Sequence, residues 1–480
     1  MPDPAAARLL FERASRPHLV GVAGAAMRSM ASLLLELGRE VSGSDSGSVA
    51  ELADLVARGA RIDQGHDAAN VAGADLVIVS AAVPADNPEL AAARLRGIPI
   101  LSHAQALGAL MATRDGIGVA GTHGKSTTTA LVAHILAVAG RDPTLAGGAH
   151  AIDFGGFSRL GHGPELVAEA DEYGRRFLEL HPRLAIVTGV EPDHLDYYGS
   201  FEAVKEAFQQ FVAGLAPDGI VVTCEDEPTL ARLPLARRRV RYGWAGHADW
   251  RLERYEPRPG GGGRFAVRSP DGQRTAYELR LNGRHNAANA VAALAICREL
   301  GVSATSAREG LATFRGTARR FETVARADGV WVVDDYAHHP TEVAVNLAAA
   351  RDVHAGRLVA VFQPHTVHRT RALLDEFAVA FSAADRLILA PIYQPTGRGS
   401  DDPAVTSSEL AARIVGTEVT AAPSLETAYR MAEAELRPGT LVLVLGAGDV
   451  TTVAWRLARA AQARPEAVPA VAVSGGRGSR

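Results

Sequence analysis

Cysteine is nearly absent: the chain of 480 residues holds two, Cys224 and Cys297, each inside an apolar run (IVVTCED, AALAICREL). Such residues read as small buried hydrophobes, which argues against a disulfide framework or a cysteine-based metal site. Long apolar runs are lacking too. No segment approaches the roughly 20 residues of a membrane span, and the N-terminus lacks the basic-then-apolar order of a signal peptide, so a cytosolic protein without membrane insertion is expected. Charge of one sign is also missing. Fifty Lys plus Arg against 54 Asp plus Glu leave a net charge of -4, which gives no support to nucleic-acid binding or a membrane-surface role.

What is present is a globular composition, 47% hydrophobic with 48 glycines, long enough for two to four domains. From HLVGV to about residue 112, apolar strands (HLVGV, EVSGSD, ADLVIVS, IPILS) alternate with amphipathic helices such as MRSMASLLLELG. This alternation predicts an α/β fold with a Rossmann-like parallel sheet. A second series (GIGVAG, ELVAEAD, LAIVTGV, GIVVTCED) changes at 241–281 into short segments with GGGG and PDG turns, which predict antiparallel hairpins. A third series (VWVVDDY, RLVAVFQPH, RLILAPIY, TLVLVLGAG) predicts another Rossmann-like α/β domain. Three domains with boundaries near 112 and 324 are expected. The Pro-, Ala-, Gly-, Ser- and Arg-rich stretch 464–480 reads as a disordered tail.

The strongest motif is GVAGTHGKSTTTALVAHILAVAG. An apolar strand, a glycine turn, a lysine and hydroxyls, then a long helix is the arrangement that cradles phosphates. Backbone N–H groups and the helix N-terminus face the anion, Lys125 adds a compact charge, and Ser126 or Thr127 can reach Mg²⁺. Val119 stands where the strict motif has its first glycine. The turn at Gly21 and Gly24 is a weaker signal, equally consistent with a plain strand-to-helix turn; Asp45, at the end of the second strand, lies where an acid can meet a ribose hydroxyl.

Acids and imidazoles also cluster at strand ends. Glu169, Asp171 and Glu172 lie in VAEADE; Asp193, His194 and Asp196 lie in EPDHLD. Carboxylate oxygens suit Mg²⁺, and an imidazole can complete a metal site. Asp334, Asp335, Tyr336, His338 and His339 form VVDDYAHH, and His365, His368, Arg369 and Arg371 form QPHTVHRTR. Arginine there suits bidentate carboxylate binding. The adjacent histidines also raise zinc, but the usual Cys or H-E-x-x-H partners are missing.

In chain order GTHGKSTTT, VAEADE, PDHLDYYGSFE, NGRHNAANAVAA, FRGTARRFE, VDDYAHHPTEV, FQPHTVHRT and LGAGD resemble the Mur ligases over roughly residues 18–460, and within them the alanine-adding member. The resemblance implies an ATP- and Mg²⁺-dependent ligase that joins UDP-N-acetylmuramate and L-alanine through an acyl phosphate, as a monomer or homodimer. Residues 1–112 would bind the UDP-sugar, 113–323 would bind ATP, and 324–463 would close on ATP and hold the amino acid. Gly121, Thr122, His123, Gly124, Lys125, Ser126 and Thr127 would form the phosphate loop. His285, Asn286 and Asn289 would hold ATP with Asp335, and Arg320 would reach phosphate. Ser126, Glu169 and His194 would ligate magnesium. His338 and Arg369 would face the amino acid and the muramoyl carboxylate, with His338 as a candidate base. Gly21, Gly24, Asp45, His66, Ser80 and Asn87 would line the UDP-sugar site. Lys205 resembles the lysine that is carbamylated and bridges metal in some sister ligases, a feature the alanine-adding branch need not use.

The chain departs from the family pattern at Ala23 and Ala26, which replace glycines, at Gly174 and Gly189, and at His103, where arginine is common. Three alternatives stand beside this reading: a recycling ligase that attaches a tripeptide to the same UDP-sugar, a dinucleotide-dependent oxidoreductase, and a non-catalytic UDP-sugar-binding protein.

Overall fold

The computed structural model describes residues 2–47, 52–394 and 405–463, so the 464–480 tail expected to be disordered lies outside the described residues. The chain divides into two compact units, Met1–Ala318 and Arg319–Arg480, and holds three sheets.

The first sheet contains β1 (Pro17–Val20), β2 (Ser42–Asp45), β3 (Arg61–Gln64), β4 (Leu76–Val79) and β5 (Ile100–Ser102). All are parallel, in the order β3-β2-β1-β4-β5. The order reverses between β1 and β4, the position at the carboxyl ends of the strands where open α/β sheets characteristically bind ligands. A helix absent from the sequence reading, Pro4–Arg13, precedes β1; Asp3 caps it by accepting from the Ala6 N–H.

The same unit carries a ten-stranded sheet. Its strands are β6 (Asp115–Ala120), β7 (Thr144–Ala151), β8 (Gly156–Arg159), β9 (Glu165–Glu169), β10 (Leu184–Val187), β11 (Ile220–Cys224), β12 (Arg238–Gly243), β13 (Trp250–Pro257), β14 (Gly263–Arg268) and β15 (Arg274–Leu279). The order is β15-β14-β13-β12-β11-β10-β6-β9-β7-β8. The antiparallel hairpins of the 241–281 stretch begin at β13, later than expected: β12 pairs parallel with β11, β13 to β15 run antiparallel, and at the opposite edge β7 and β8 form a further antiparallel pair. The central strands are buried on both faces, as the near-continuous Val, Ile and Leu of LAIV and IVVTC require. Cys224 and Cys297 are buried free thiols, as their apolar settings predict.

In the second unit, β16 (Glu322–Ala327), β17 (Val330–Asp335), β18 (Arg357–Phe362), β19 (Arg386–Leu389), β20 (Glu418–Ala421) and β21 (Thr440–Leu445) form the order β16-β17-β21-β18-β19-β20. Only β16 is antiparallel to its neighbour. Among the described residues no helix is long and apolar enough to cross a membrane.

Candidate active site

Three loops meet at the carboxyl edge of the large sheet because β6, β9 and β10 are neighbours. Val119 of β6 pairs with Glu169 of β9, and Ala120 with Val187 of β10, so residues 121–124, 170–172 and 188–194 leave the sheet side by side. The first loop needs its glycines. Gly121 has φ +132°, and a Cβ there would lie 2.0 Å from the Thr188 hydroxyl; at Gly124, φ +79°, a Cβ would lie 2.8 Å from Asn289 Oδ1. The loop is stitched to its neighbour: the Thr122 N–H donates to Gly189 O at 3.0 Å, and the Glu191 N–H to Thr122 Oγ1 at 2.9 Å. Thr188 donates to the His123 carbonyl, while the His123 ring lies 3.5 Å from the Glu191 carboxylate.

Lys125 opens the Lys125–Val138 helix and folds back over the loop. Its ammonium donates to Gly121 O at 2.6 Å and pairs with Glu172 at 2.8 Å. Burial opposes charge on the lysine, but Glu172, Glu169 and Asp171 outweigh it and hold the ammonium above its ordinary range. On Glu172 burial dominates and pushes the carboxyl up to about 7, so the lysine is the firmer charge of the pair. Ser126 and Thr127 are buried in the first helical turn. Glu169 ends β9 and accepts from the Gly148 N–H at 3.2 Å. His194, in the left-handed region at φ +54°, sets Nε2 3.8 Å from Glu172 and 3.6 Å from Asp193.

The Arg284–Glu299 helix brings Asn286 and Asn289 to the same loop. Asn286 Nδ2 donates to Asn282 O at 2.8 Å, and Asn289 Nδ2 to Asn286 Oδ1 at 3.2 Å, which leaves Asn289 seated on Gly124. His285 occupies the first turn of that helix. Lys205 stands apart from this constellation by its contacts: it pairs with Glu202 and lies 5.1 Å over the Phe201 ring.

The crevice of the first sheet gathers the other group. Gly21 (φ +82°) abuts Ser80 and Val83, leaving no room for a side chain, and Gly24 caps the Ala25–Glu36 helix. Both Asp45 oxygens are engaged by backbone, Oδ2 by the Ala23 N–H at 2.9 Å and Oδ1 by the Gly47 N–H at 2.8 Å. Ser80 Oγ accepts from the Ala82 N–H at 3.3 Å. Asn87 caps the Pro88–Leu95 helix, accepting from the Glu89 N–H at 2.9 Å. His66 follows β3, its Nδ1 3.2 Å from Ser44 Oγ. A cavity of about 200 Å³, walled by Ala26, Met30, His103, Gly148, Glu169 and Arg176, lies between the Ala25–Glu36 helix and the acid end of β9. Burial and Arg176 hold the His103 imidazole down at about 4, so it is neutral.

In the second unit, Asp335 is enclosed. It accepts from the Phe321 N–H at 2.6 Å, the Ala337 N–H at 2.7 Å and Asn346 Nδ2 at 2.8 Å, and burial pushes its carboxyl up to about 7. Arg320 lies 5.0 Å over the Tyr336 ring and 4.0 Å from Glu342. His338 and Arg369 are brought together through a residue the motif reading left without a role, His365: its ring centre is 5.6 Å from that of His338, and its Nδ1 is 3.2 Å from Arg369 Nη1. Thr188 was likewise left without a role, and Glu172 was read only as one of the acids suited to Mg²⁺, not as the partner of Lys125. Glu172 was visible as an acid in VAEADE, whereas nothing in the sequence marks Thr188.

A parallel α/β sheet with a glycine-and-lysine loop at a strand-to-helix junction defines a phosphate-binding nucleotide enzyme. Family models match almost throughout: "Mur ligase family, catalytic domain" over residues 16–115, "Mur ligase middle domain" over 119–297, and "Mur ligase, glutamate ligase domain" over 319–448. The chain belongs to the Mur ligase family. It is 44% identical over 477 residues to the UDP-N-acetylmuramate–L-alanine ligase of Symbiobacterium thermophilum, covering 96% of this chain and 98% of that one. To the enzyme of the same name from Acidithiobacillus ferrooxidans it is 45% identical over 450 residues, covering 91% and 96%. Among solved structures, the UDP-N-acetylmuramate–alanine ligase of Thermotoga maritima superposes with a TM-score of 0.78 at 28% identity, covering 92% of this chain and 98% of that one. A murein peptide ligase from Psychrobacter arcticus gives 0.69 at 25% identity, covering 94% and 99%.

Proposed function

We propose that this protein is an ATP-dependent carboxylate–amine ligase that joins L-alanine to UDP-N-acetylmuramate in peptidoglycan precursor synthesis, in the cytoplasm. The observation that carries the reading is the Lys125 loop with Glu169, Glu172 and His194 around it, in a chain more than 40% identical to alanine-adding relatives.

A carboxylate is a poor electrophile, because oxide is not displaced from it. Transfer of the γ-phosphoryl group of ATP to the muramoyl carboxylate releases ADP and leaves an acyl phosphate. The amine of alanine then attacks the acyl carbon, and phosphate departs as the amide forms. Lys125, its ammonium held charged, neutralises the moving phosphoryl group. Asn286, Asn289 and His285 hold the nucleotide from the adjoining helix. Ser126, Glu169 and His194 supply hydroxyl, carboxylate and imidazole donors that fit Mg²⁺, with Glu169 engaged by a single backbone donor. Magnesium bound there adds electrostatic stabilisation of the transferred phosphoryl charge.

The N-terminal group of Gly21, Gly24, Asp45, His66, Ser80 and Asn87 takes the UDP-sugar, and the cavity between the Ala25–Glu36 helix and Glu169 gives room beside the acid end of β9. In the second unit Arg369 and His338 bind the amino acid, while Arg320 and Asp335 serve the nucleotide side. The domain division at 112 and 323 assigns these roles to UDP-sugar, ATP and amino acid in turn.

The test is an ADP-release assay with UDP-N-acetylmuramate against alanine, glycine, serine and one tripeptide. Alanine is expected to be preferred. One methyl group contributes roughly 1–3 kcal/mol, so glycine should turn over at a measurable rate. A preference for the tripeptide would transfer the chain to the recycling ligases. Lys125→Ala should abolish ADP release and leave UDP-sugar binding by calorimetry intact.

A further inference from the structure

The Pro88–Leu95 helix carries a fully buried acid, Glu89, at its second position. Its carboxylate collects groups from separate segments around the crevice floor. Ser44 Oγ of β2 donates to Oε2 at 2.6 Å, and Asn70 Nδ2 donates to Oε1 at 2.5 Å. The Asp67 N–H reaches Oε1 at 3.3 Å. His18 Nε2 of β1 and His66 Nδ1 lie 3.5 and 3.4 Å from Oε2. Burial would push this carboxyl up, but the bonds from His18, Ser44 and Asn70 outweigh it and hold it down at about 2. A permanent buried anion therefore sits beneath the crevice.

The hydrogen-bond roles then follow by elimination. The Ser44 hydroxyl hydrogen is spent on Glu89, so toward His66 Nδ1, 3.2 Å away, Ser44 Oγ can only accept. His66 Nδ1 must carry the proton. In the neutral ring Nε2 is then an acceptor, and among the described residues it has no protein partner, on a side chain 19% exposed.

Building on the UDP-sugar site proposed above, we propose that Glu89 is a positioning residue of that site. Through Ser44 it fixes His66 as the Nδ1–H tautomer and offers Nε2 to a hydroxyl or N–H donor of the nucleotide sugar.

The experiment uses the full-length protein as wild type, Glu89→Gln, His66→Ala and the double variant. UDP-N-acetylmuramate affinity is measured by calorimetry, and kcat and the KM for ATP at saturating sugar. Glu89→Gln is expected to weaken sugar binding about tenfold or more, with kcat and the ATP KM within about twofold. The double variant should bind no more weakly than His66→Ala alone, because both changes remove one interaction. Fully additive losses, or wild-type affinity in Glu89→Gln, would overturn the proposal. Imidazole ¹⁵N spectra of the wild type, with His66 assigned by its loss in His66→Ala, test it without the substituted acid: an Nδ1–H signal is expected, and an Nε2–H tautomer overturns it. A wild type that shows the Nδ1–H tautomer but binds no UDP-sugar would instead sink the site reading on which this inference rests.

Discussion

Backbone geometry and charge placement act on single residues of the phosphate loop. Gly121 combines φ +132° with a Cβ position 2.0 Å from Thr188 Oγ1, so no side chain fits without moving the loop. Thr188 cannot yield cheaply, since its hydroxyl is bonded to the His123 carbonyl. Gly121→Ala is therefore expected to displace the carbonyl that Lys125 grips and lower kcat/KM for ATP on the order of 10²-fold, a loss typical of a 1 Å misplacement. UDP-sugar affinity should not change, and steady-state kinetics beside calorimetry on the same variant separates the two. Glu89 yields a second residue-scale expectation. Its folded carboxyl is depressed from 4.5 to about 2, so its contribution to stability is complete above the unfolded value and is lost as pH falls from there toward the folded one. Wild type should lose stability on the order of 2–3 kcal/mol through this group between about pH 5 and pH 2. Glu89→Gln should lack that part of the acid limb in urea titrations at stepped pH. Parallel acid limbs in the two proteins would show that the buried anion contributes nothing to the pH dependence.

At the scale of elements, a small hairpin supports the proposed nucleotide site from a distance. Tyr255 of β13 accepts a hydrogen bond from the Gly283 N–H at 2.9 Å, at the residue that caps the helix carrying Asn286 and Asn289. Gly263 of β14 makes room for that ring, since a Cβ there would fall 2.5 Å from it. The path runs from β13 to the helix start, then through Asn289 to Gly124. Tyr255→Phe removes one bond worth about 0.5–1.5 kcal/mol and should raise the ATP KM by roughly three- to tenfold at nearly constant alanine KM. An unchanged ATP KM would mean that the helix holds its place without the hairpin. Elements of this kind also mark the limit of what the sequence discloses. Strands such as LAIV, IVVTC and TLVLVL are legible because burial on both faces demands unbroken apolar runs. Of those that escaped, β3 (RIDQ), β8 (GFSR), β16 (ETVARA) and β20 (EVTA) are edge strands, half solvated and short, so their composition resembles a loop, while the interior β7 (TLAGGAHA) is built of small residues and glycines that carry no strand signal. The same reasoning applies to the site. Gly121 to Thr127 form one contiguous motif and could be read directly. The pairing of Lys125 with Glu172 spans 47 residues and that of Ser44 with Glu89 spans 45, and only the folded sheets set such partners side by side.

At the scale of the whole molecule, the two compact units divide the proposed chemistry. The first holds the phosphate loop, the acids at the end of β9 and the UDP-sugar crevice; the second holds Arg369, His365 and His338. Substitutions in the second unit should therefore reach the amino acid without reaching the UDP-sugar. Arg369 lies in the Val367–Ala372 helix after β18, its Nη1 3.2 Å from His365 Nδ1, and the His365 ring stacks 5.6 Å from Tyr393. On the proposed assignment the planar guanidinium grips the α-carboxylate of the amino acid bidentately, which a lysine cannot reproduce. Arg369→Lys is expected to raise the alanine KM about tenfold or more, the equivalent of roughly 1.4 kcal/mol. UDP-N-acetylmuramate affinity should remain within about twofold of wild type, because its proposed crevice lies in the other unit. The measurements are steady-state kinetics with alanine varied at saturating ATP and sugar, and calorimetry with the sugar alone. A variant that loses sugar affinity while keeping its alanine KM would reverse the assignment and place Arg369 on the muramoyl carboxylate.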